Sequence, residues 1–138
     1  MRHWVRTFCA VLLCLFPVSL PGEHRIDVTW MKGYKDASNA SCCGENDCVR
    51  ADITVLSMGG PEMTVQVNRI ESPDHQVFWP GAVLTLPARS VHLSQDEVGY
   101  WCHKDPLYLW GAEKPCFPPS GPQVTPACTR CIFVAPGA

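Results

Sequence analysis

The chain has 138 residues, which corresponds to a single domain, and it carries a formal net charge of −2. Lys and Arg form no cluster anywhere along it, which disfavours binding to the phosphate backbone of nucleic acids. Nine cysteines in a chain of this length make cysteine chemistry the first question to settle.

Residues 1–22 have the layout of a secretory signal peptide. Arg2 and Arg6 precede an apolar run over residues 8–16, and no further charge occurs before Glu23. The apolar stretch falls short of the roughly 20 residues that a membrane span needs, and prolines interrupt it. We therefore expect an exported protein, periplasmic or extracellular, that has no membrane association after cleavage.

Removal of this leader takes away Cys9 and Cys14 and leaves nine Lys and Arg against thirteen Asp and Glu. An exported chain of this size with many cysteines is typical of a disulfide framework. Because seven cysteines remain, pairing leaves one of them over. The disulfide candidates are Cys42, Cys43, Cys48, Cys102, Cys116, Cys128 and Cys131.

Residues 23–51 predict an irregular N-terminal arm that has a short helical turn around 30–34 and ends in the cysteine-rich stretch 41–48. Residues 52–138 predict a β domain. Alternating apolar and polar residues predict a hairpin over 52–57 and 63–68, with its turn at the Gly-Gly-Pro sequence 59–61 and one face in water.

Further short strands are expected at residues 75–79, 82–87, 89–94 and 100–104, separated by turns. Residues 106–126 hold six prolines and predict an extended loop. An apolar run from Cys131 predicts a buried closing strand that stops at Pro136. The fold class expected is all-β, a small disulfide-stapled barrel or sandwich of five to seven short strands.

Two groups of disulfides follow from this layout. Cys116 and Cys128 flank the proline-rich loop and are expected to pair. In extended backbone, adjacent side chains point in opposite directions, so Cys42 and Cys43 should reach different parts of the chain. Together with Cys48 they are expected to join the arm to the strand at Cys102 and to the closing strand at Cys131, without a unique pairing.

Metal binding is the second hypothesis. Residues 128–131 have the C-x-x-C spacing of a zinc half-site, and the alternative ligand set is Cys102, His103, Cys128 and Cys131. The usual second half-site is missing, and an oxidising compartment favours disulfides over thiolate ligands. His24, His75 and His92 stand alone and are expected to be solvated or structural. No cofactor is expected.

Catalysis is not predicted, since the sequence contains no nucleophile elbow, phosphate loop or paired-carboxylate site. His103 is badly placed as a base for Cys102, because neighbours on a strand face opposite sides. The aromatic residues Trp79 and Trp101 are expected mainly in the core. Tyr108 and Trp110, in the proline-rich loop, are the best candidates for an exposed binding patch for a protein or small-ligand partner.

The pattern as a whole resembles a group of small exported proteins found mainly in alphaproteobacteria, defined by a CC-x4-C element and a terminal C-x-F. The resemblance implies export from a bacterium and a shared framework of five cysteines, to which Cys116 and Cys128 are added. It implies no particular activity. The arm differs, because residues 27–31 read DVTWM where the group tends to have His-Asp-Trp-Tyr. The matching positions are Trp30, Cys42, Cys43, Asp47, Cys48, Cys102, Cys131, Phe133 and Pro136.

Overall fold

The computed structural model describes residues 29–43, 48–104 and 115–138. The predicted all-β class is confirmed, because apart from strands these residues contain just two short 3-10 helices, Thr29–Gly33 and Ala88–Ser90. In the same ranges, no helix is long and apolar enough to cross a membrane. The strands are β1 (Cys48–Gly59), β2 (Glu62–Glu71), β3 (Val77–Phe78), β4 (Ala82–Pro87), β5 (Val91–Leu93), β6 (Tyr100–His103) and β7 (Thr129–Val134).

The long hairpin of β1 and β2 is the largest unit of the sheet. Its strands pair antiparallel from Arg50 opposite Glu71 to Gly59 opposite Glu62. Gly60 takes the positive φ of 68° at the turn, a conformation that glycine adopts without steric cost. The predicted hairpin is confirmed, and β1 begins at Cys48, within the range assigned to the arm.

The seven strands form one open sheet in the order β3-β2-β1-β6-β7-β5, with β4 also paired to β2. All pairs are antiparallel except β5 with β7, which is parallel. The sheet is mixed and does not close on itself, so it has the form of a sandwich or an open barrel. β7 follows the proline-rich segment and inserts between β6 and β5, which makes it an interior strand of the sheet.

The two central strands β6 and β7 are covered on both faces, and successive residues contribute to two different clusters. On one face, alternate residues of the hairpin, β4, β6 and β7 pack together; we call this the core cluster, formed by Val49, Ala51, Ile53, Val65, Val67, Ile70, Leu84, Leu86, Trp101, Ile132 and Val134. On the other face lies the arm cluster, formed by Met31, Cys42, Tyr100, Cys102, Cys131 and Phe133, with Trp30 and Tyr34 packed against it.

The described part of the proline-rich segment, from residue 115 onward, contains no strand before β7, as the sequence predicts. Phe117 packs on the core cluster and meets the ring of Phe78 edge-on at 6.0 Å. Gly121 has φ of 121°, and a Cβ there would lie 3.1 Å from the Phe78 ring. The segment therefore folds onto the edge of the sheet that β3 provides.

Candidate functional site

Three cysteines form a row across the sheet on the face that the arm covers. Cys48 of β1 lies opposite Cys102 of β6, and Cys102 lies opposite Cys131 of β7. Residues directly opposite each other in neighbouring strands share a face, so the strand register alone brings these three sulfurs together. The arm adds the sulfurs of Cys42 and Cys43 to the same place.

Two disulfides use four of these five sulfurs. Cys42 is bonded to Cys131, across 89 residues of sequence, and Cys48 is bonded to Cys102, across 54 residues. The first bond joins the arm to β7, and the second joins β1 to β6. A third disulfide, Cys116–Cys128, closes the proline-rich segment, as the sequence predicts.

A tight turn in the arm positions Cys42. The Asp36 carboxylate accepts hydrogen bonds from the Ser38 N–H at 2.8 Å, the Ser38 hydroxyl at 2.6 Å and the Ala40 N–H at 2.9 Å. Burial raises the pKa of Asp36, but these hydrogen bonds outweigh it, so the pKa lies below its ordinary value. Asn39 takes φ of 67°, which Asn tolerates better than most residues. The chain then returns antiparallel, pairing Lys35 with Ser41.

Cys43 lies beside the second disulfide and takes part in none of the three. Its Sγ is 3.7 Å from Cys102 Sγ, and its thiol donates to Met31 Sδ at 3.4 Å. Cys102 and Met31 are fully buried, whereas Cys43 is half-buried. Cys43 therefore faces the buried sulfur row on one side and is partly open to solvent.

His92 of β5 is the polar neighbour of the first disulfide. Its Nε2 lies 3.5 Å from Cys42 Sγ and 3.0 Å from the carbonyl oxygen of Lys35. Burial lowers the pKa of His92 below its ordinary value, although the hydrogen bond to Lys35 opposes this, so the ring is neutral at pH 7. Because a carbonyl only accepts, the proton of the neutral ring is on Nε2.

The prediction that Cys42 and Cys43 crosslink the arm to two different strands is half correct. Cys42 does join the arm to the closing strand, but Cys102 bonds to Cys48 rather than to Cys43. The two neighbours also do not reach opposite parts of the molecule, since both meet the row on β6 and β7. The reason is local: the chain bends at Cys42, so the alternation of an extended strand does not apply there.

The alternative metal set predicted from the C-x-x-C spacing is spread over separate parts of the structure. Cys102, Cys128 and Cys131 each belong to a different disulfide. The His103 ring packs against Trp101 in a tilted arrangement, with ring centroids 5.1 Å apart, on the core face and away from Cys102. A disulfide sulfur is not a thiolate ligand, so in this oxidised form the set offers no cage.

The described residues instead contain two other groups of ligand atoms within 4.8 Å of one another: Cys42 with His92 and Cys131, and Cys43 with Cys48 and Cys102. Each group includes a disulfide, so each could hold a soft metal ion only after reduction. In the first group, the Nε2 proton bound to the Lys35 carbonyl would also have to leave. The predicted isolation of His92 is wrong, because the parallel pairing of β5 with β7 brings this residue beside Cys42.

The aromatic residues are divided between core and surface. Trp101 is fully buried, and its indole N–H donates to the Thr129 hydroxyl at 2.9 Å. Trp79 was expected mainly in the core, but it is 74% exposed, with the Arg69 guanidinium 5.9 Å above its ring. The predicted binding-patch residues Tyr108 and Trp110 lie outside the described residues.

Two further exposed apolar side chains lie on the outer face of the sheet, to either side along β2. Val77 and Val83 are exposed and lie opposite Glu71 and Gln66 of β2, on the face away from the core cluster. We call Val77, Trp79 and Val83 the outer patch.

Comparison of the chain with protein-family models, curated proteins and solved structures finds no match.

Proposed function

We propose that this chain is an exported, disulfide-stabilised β domain that acts by binding a partner through the outer patch rather than by catalysis. The observation that carries the proposal is the exposed Trp79, which directly follows strand β3 and has the Arg69 guanidinium above its ring, with Val77 and Val83 also exposed. Large aromatic side chains on well-ordered surfaces contribute much of the energy of protein interfaces.

Export is supported by two independent features. The layout of residues 1–22 is typical of a secretory signal peptide, and three disulfides between described residues are typical of oxidising compartments. The resemblance to small exported alphaproteobacterial proteins points the same way. In such a compartment, most of the cysteines serve as crosslinks.

The test is quantitative capture from the exported fraction of the source cells, using the purified domain as bait. Trp79→Ser combined with Val83→Ser should abolish capture of whatever the unchanged domain retains. The matched control is Leu93→Ser, which changes a residue that is 65% exposed on the other edge of the sheet and should leave capture unchanged. Equal capture by all three proteins would refute the role of the outer patch.

Metal binding is the second candidate, favoured by the two groups of ligand atoms around the arm cluster. Mass spectrometry of the intact protein under native conditions separates it from the first. A protein with six oxidised cysteines and no bound metal supports the binding domain. Several alkylatable thiols together with stoichiometric zinc would support the metal site instead.

A further inference from the structure

The sulfurs of Cys43, Cys48 and Cys102 form a compact triangle next to the arm. The Cys48–Cys102 bond is one side, Cys43 Sγ is 3.7 Å from Cys102 Sγ, and all three sulfurs lie within 4.8 Å of one another. A third sulfur this close to a disulfide is the arrangement from which thiol–disulfide exchange starts. Neither the crosslinking of the arm nor binding through the outer patch requires a third sulfur at this position.

Burial decides which thiol can act on this disulfide. Cys102 is fully buried between β1, β7 and the arm, whereas Cys43 and Cys48 are half-buried. A thiol in solution therefore has no direct path to Cys102 Sγ. Cys43 already touches it from inside the protein, with the high effective concentration of an intramolecular group.

We infer that Cys43 exchanges with the Cys48–Cys102 disulfide, so that the protein interconverts between two disulfide isomers. The Cys43 thiol loses its proton, and its thiolate attacks Cys102 Sγ. The Cys43–Cys102 bond forms as the Cys48–Cys102 bond breaks, and the electron pair leaves on Cys48 Sγ, which takes up a proton. No external oxidant or reductant is consumed.

The triangle also shows what motion the exchange needs. Displacement at sulfur requires the attacking and leaving sulfurs on opposite sides of the central one. If the three sulfurs lay in a line, the Cys43–Cys48 distance would be the sum of the Cys43–Cys102 distance and the Cys48–Cys102 bond length. That sum exceeds the 4.8 Å within which all three sulfurs lie. The Cys43 side chain must therefore swing around Cys102 before reacting.

Exchange would change which segment is tied to β6. In the observed isomer, Cys102 holds Cys48, the first residue of β1, which already pairs with it through the backbone. In the second isomer, Cys102 holds the arm at Cys43, next to the Cys42–Cys131 crosslink. The half-buried thiol then passes from the arm to the start of β1, where its thiolate can attack a disulfide of a partner, forming a mixed disulfide and releasing the partner's other sulfur as a thiol.

The decisive experiment maps the disulfides of three exported proteins: the unchanged chain, Cys43→Ser and Cys48→Ser. Each is quenched in acid, alkylated without reductant and digested with trypsin and a Glu-specific protease. Cleavage after Glu45 separates Cys43 from Cys48. Each bond to Cys102 then gives a different linked peptide, while the Cys116–Cys128 bond stays within the single peptide 114–130 and serves as an internal standard.

We expect Cys48→Ser to contain the Cys43–Cys102 peptide in full yield, with no thiol left to alkylate among residues 42–131. We expect Cys43→Ser to keep Cys48–Cys102, and the unchanged chain to give both linked peptides after incubation in a glutathione buffer. A Cys48→Ser protein alkylated at both Cys43 and Cys102, with its other two disulfides intact, would overturn the inference. If that variant does not fold, finding only the Cys48–Cys102 peptide in the unchanged chain would overturn it equally.

Discussion

The two faces of strands β6 and β7 are packed by different means. The core cluster is formed almost wholly by aliphatic side chains of the sheet itself, with Trp101 as its one aromatic member. The arm cluster is formed by aromatic rings and sulfur, and part of it comes from a segment that contributes no strand to the sheet. Strand pairing therefore holds the first cluster together, whereas the second depends on a covalent tie.

Aromatic contacts do strengthen the arm cluster. Trp30 and Tyr34 each meet the Phe133 ring edge-on at 5.2 Å. Such pairs are worth about 0.5–1.5 kcal/mol each beyond the area they bury. A short segment with one 3-10 turn gains little from backbone pairing, so side-chain contacts have to offset most of the entropy of ordering it. The Cys42–Cys131 bond reduces that entropy cost in advance.

The largest effect should come from removing that bond. Replacing Cys42 and Cys131 together by Ala should lower the free energy of unfolding by about 4–5 kcal/mol, because the closed loop is long. The matched variant, Cys116→Ala with Cys128→Ala, opens a loop of sequence separation 12 instead of 89 and should cost about 3 kcal/mol. Urea unfolding followed by tryptophan fluorescence measures both.

A reversed order, with the short loop costing more, would show that the arm is held by packing and not by its crosslink. Hydrogen exchange of residues 29–43 provides a second measurement of the same difference. Loss of protection confined to the arm in the Cys42 and Cys131 double variant is the result that our comparison requires.

The core cluster should respond to cavities rather than to crosslinks. Trp101→Ala should lower the free energy of unfolding by about 3–5 kcal/mol, because it empties a fully buried site and removes the hydrogen bond to Thr129. Trp79→Ala is the control, and its effect should stay within about 0.5 kcal/mol, since its ring lies on the surface. Similar losses from both in thermal unfolding would contradict the division into core and surface.

The core cluster is also the part of the fold that the sequence could predict. Alternating runs such as residues 63–68 specify both a strand and the face that it buries. β7, by contrast, was expected from Cys131 and begins at Thr129, and no local pattern indicates that it inserts between β6 and β5. That insertion decides the Cys102–Cys131 register and the position of His92.

The disulfide pairing shows the same limit. Cys116 and Cys128 pair as expected, because they are close in sequence and flank one loop. The choice between Cys43 and Cys48 as the partner of Cys102 depends on where β1 begins. The predicted strand starts at residue 52, four residues after the observed start at Cys48, although Val49 and Ala51 already alternate with Arg50 and Asp52. The register that places Cys48 opposite Cys102 therefore lies outside the predicted strand.

A smaller effect should come from the polar group that supports the arm cluster from the β5–β6 turn. The Asp96 carboxylate accepts hydrogen bonds from the Tyr100 hydroxyl at 2.7 Å, the Ser94 hydroxyl at 2.8 Å and the Val98 N–H at 2.9 Å. Burial raises the pKa of Asp96, but these bonds together lower it below its ordinary value. Asp96→Asn should therefore cost about 1–3 kcal/mol at pH 7.

The lowered pKa of Asp96 determines how the stability difference between the two proteins changes with pH. Because the folded protein binds the Asp96 proton more weakly than the unfolded chain, the contribution is complete above the ordinary Asp pKa of 3.8 and is lost as pH falls through the lower folded value. The stability difference between the unchanged protein and Asp96→Asn should shrink in that range. Glu97→Gln, at the exposed neighbouring residue, is the control and should change the free energy of unfolding at pH 7 by no more than about 0.5 kcal/mol. An Asp96→Asn effect that stays constant down to pH 2 would refute the assignment.

The smallest effect should come from His92, a titrating group whose Nε2 lies 3.5 Å from Cys42 Sγ. His92→Leu should cost about 1 kcal/mol at pH 8, since it removes the hydrogen bond to the Lys35 carbonyl. Burial lowers the pKa of His92, so the neutral ring stabilises the fold above the ordinary value of 6.5, and this contribution is lost as pH falls through the lower folded value. Urea unfolding of both proteins between pH 8 and pH 5 should show the two stabilities converging. Divergence would mean that the protonated ring is the favoured form and that the arm is held there by charge.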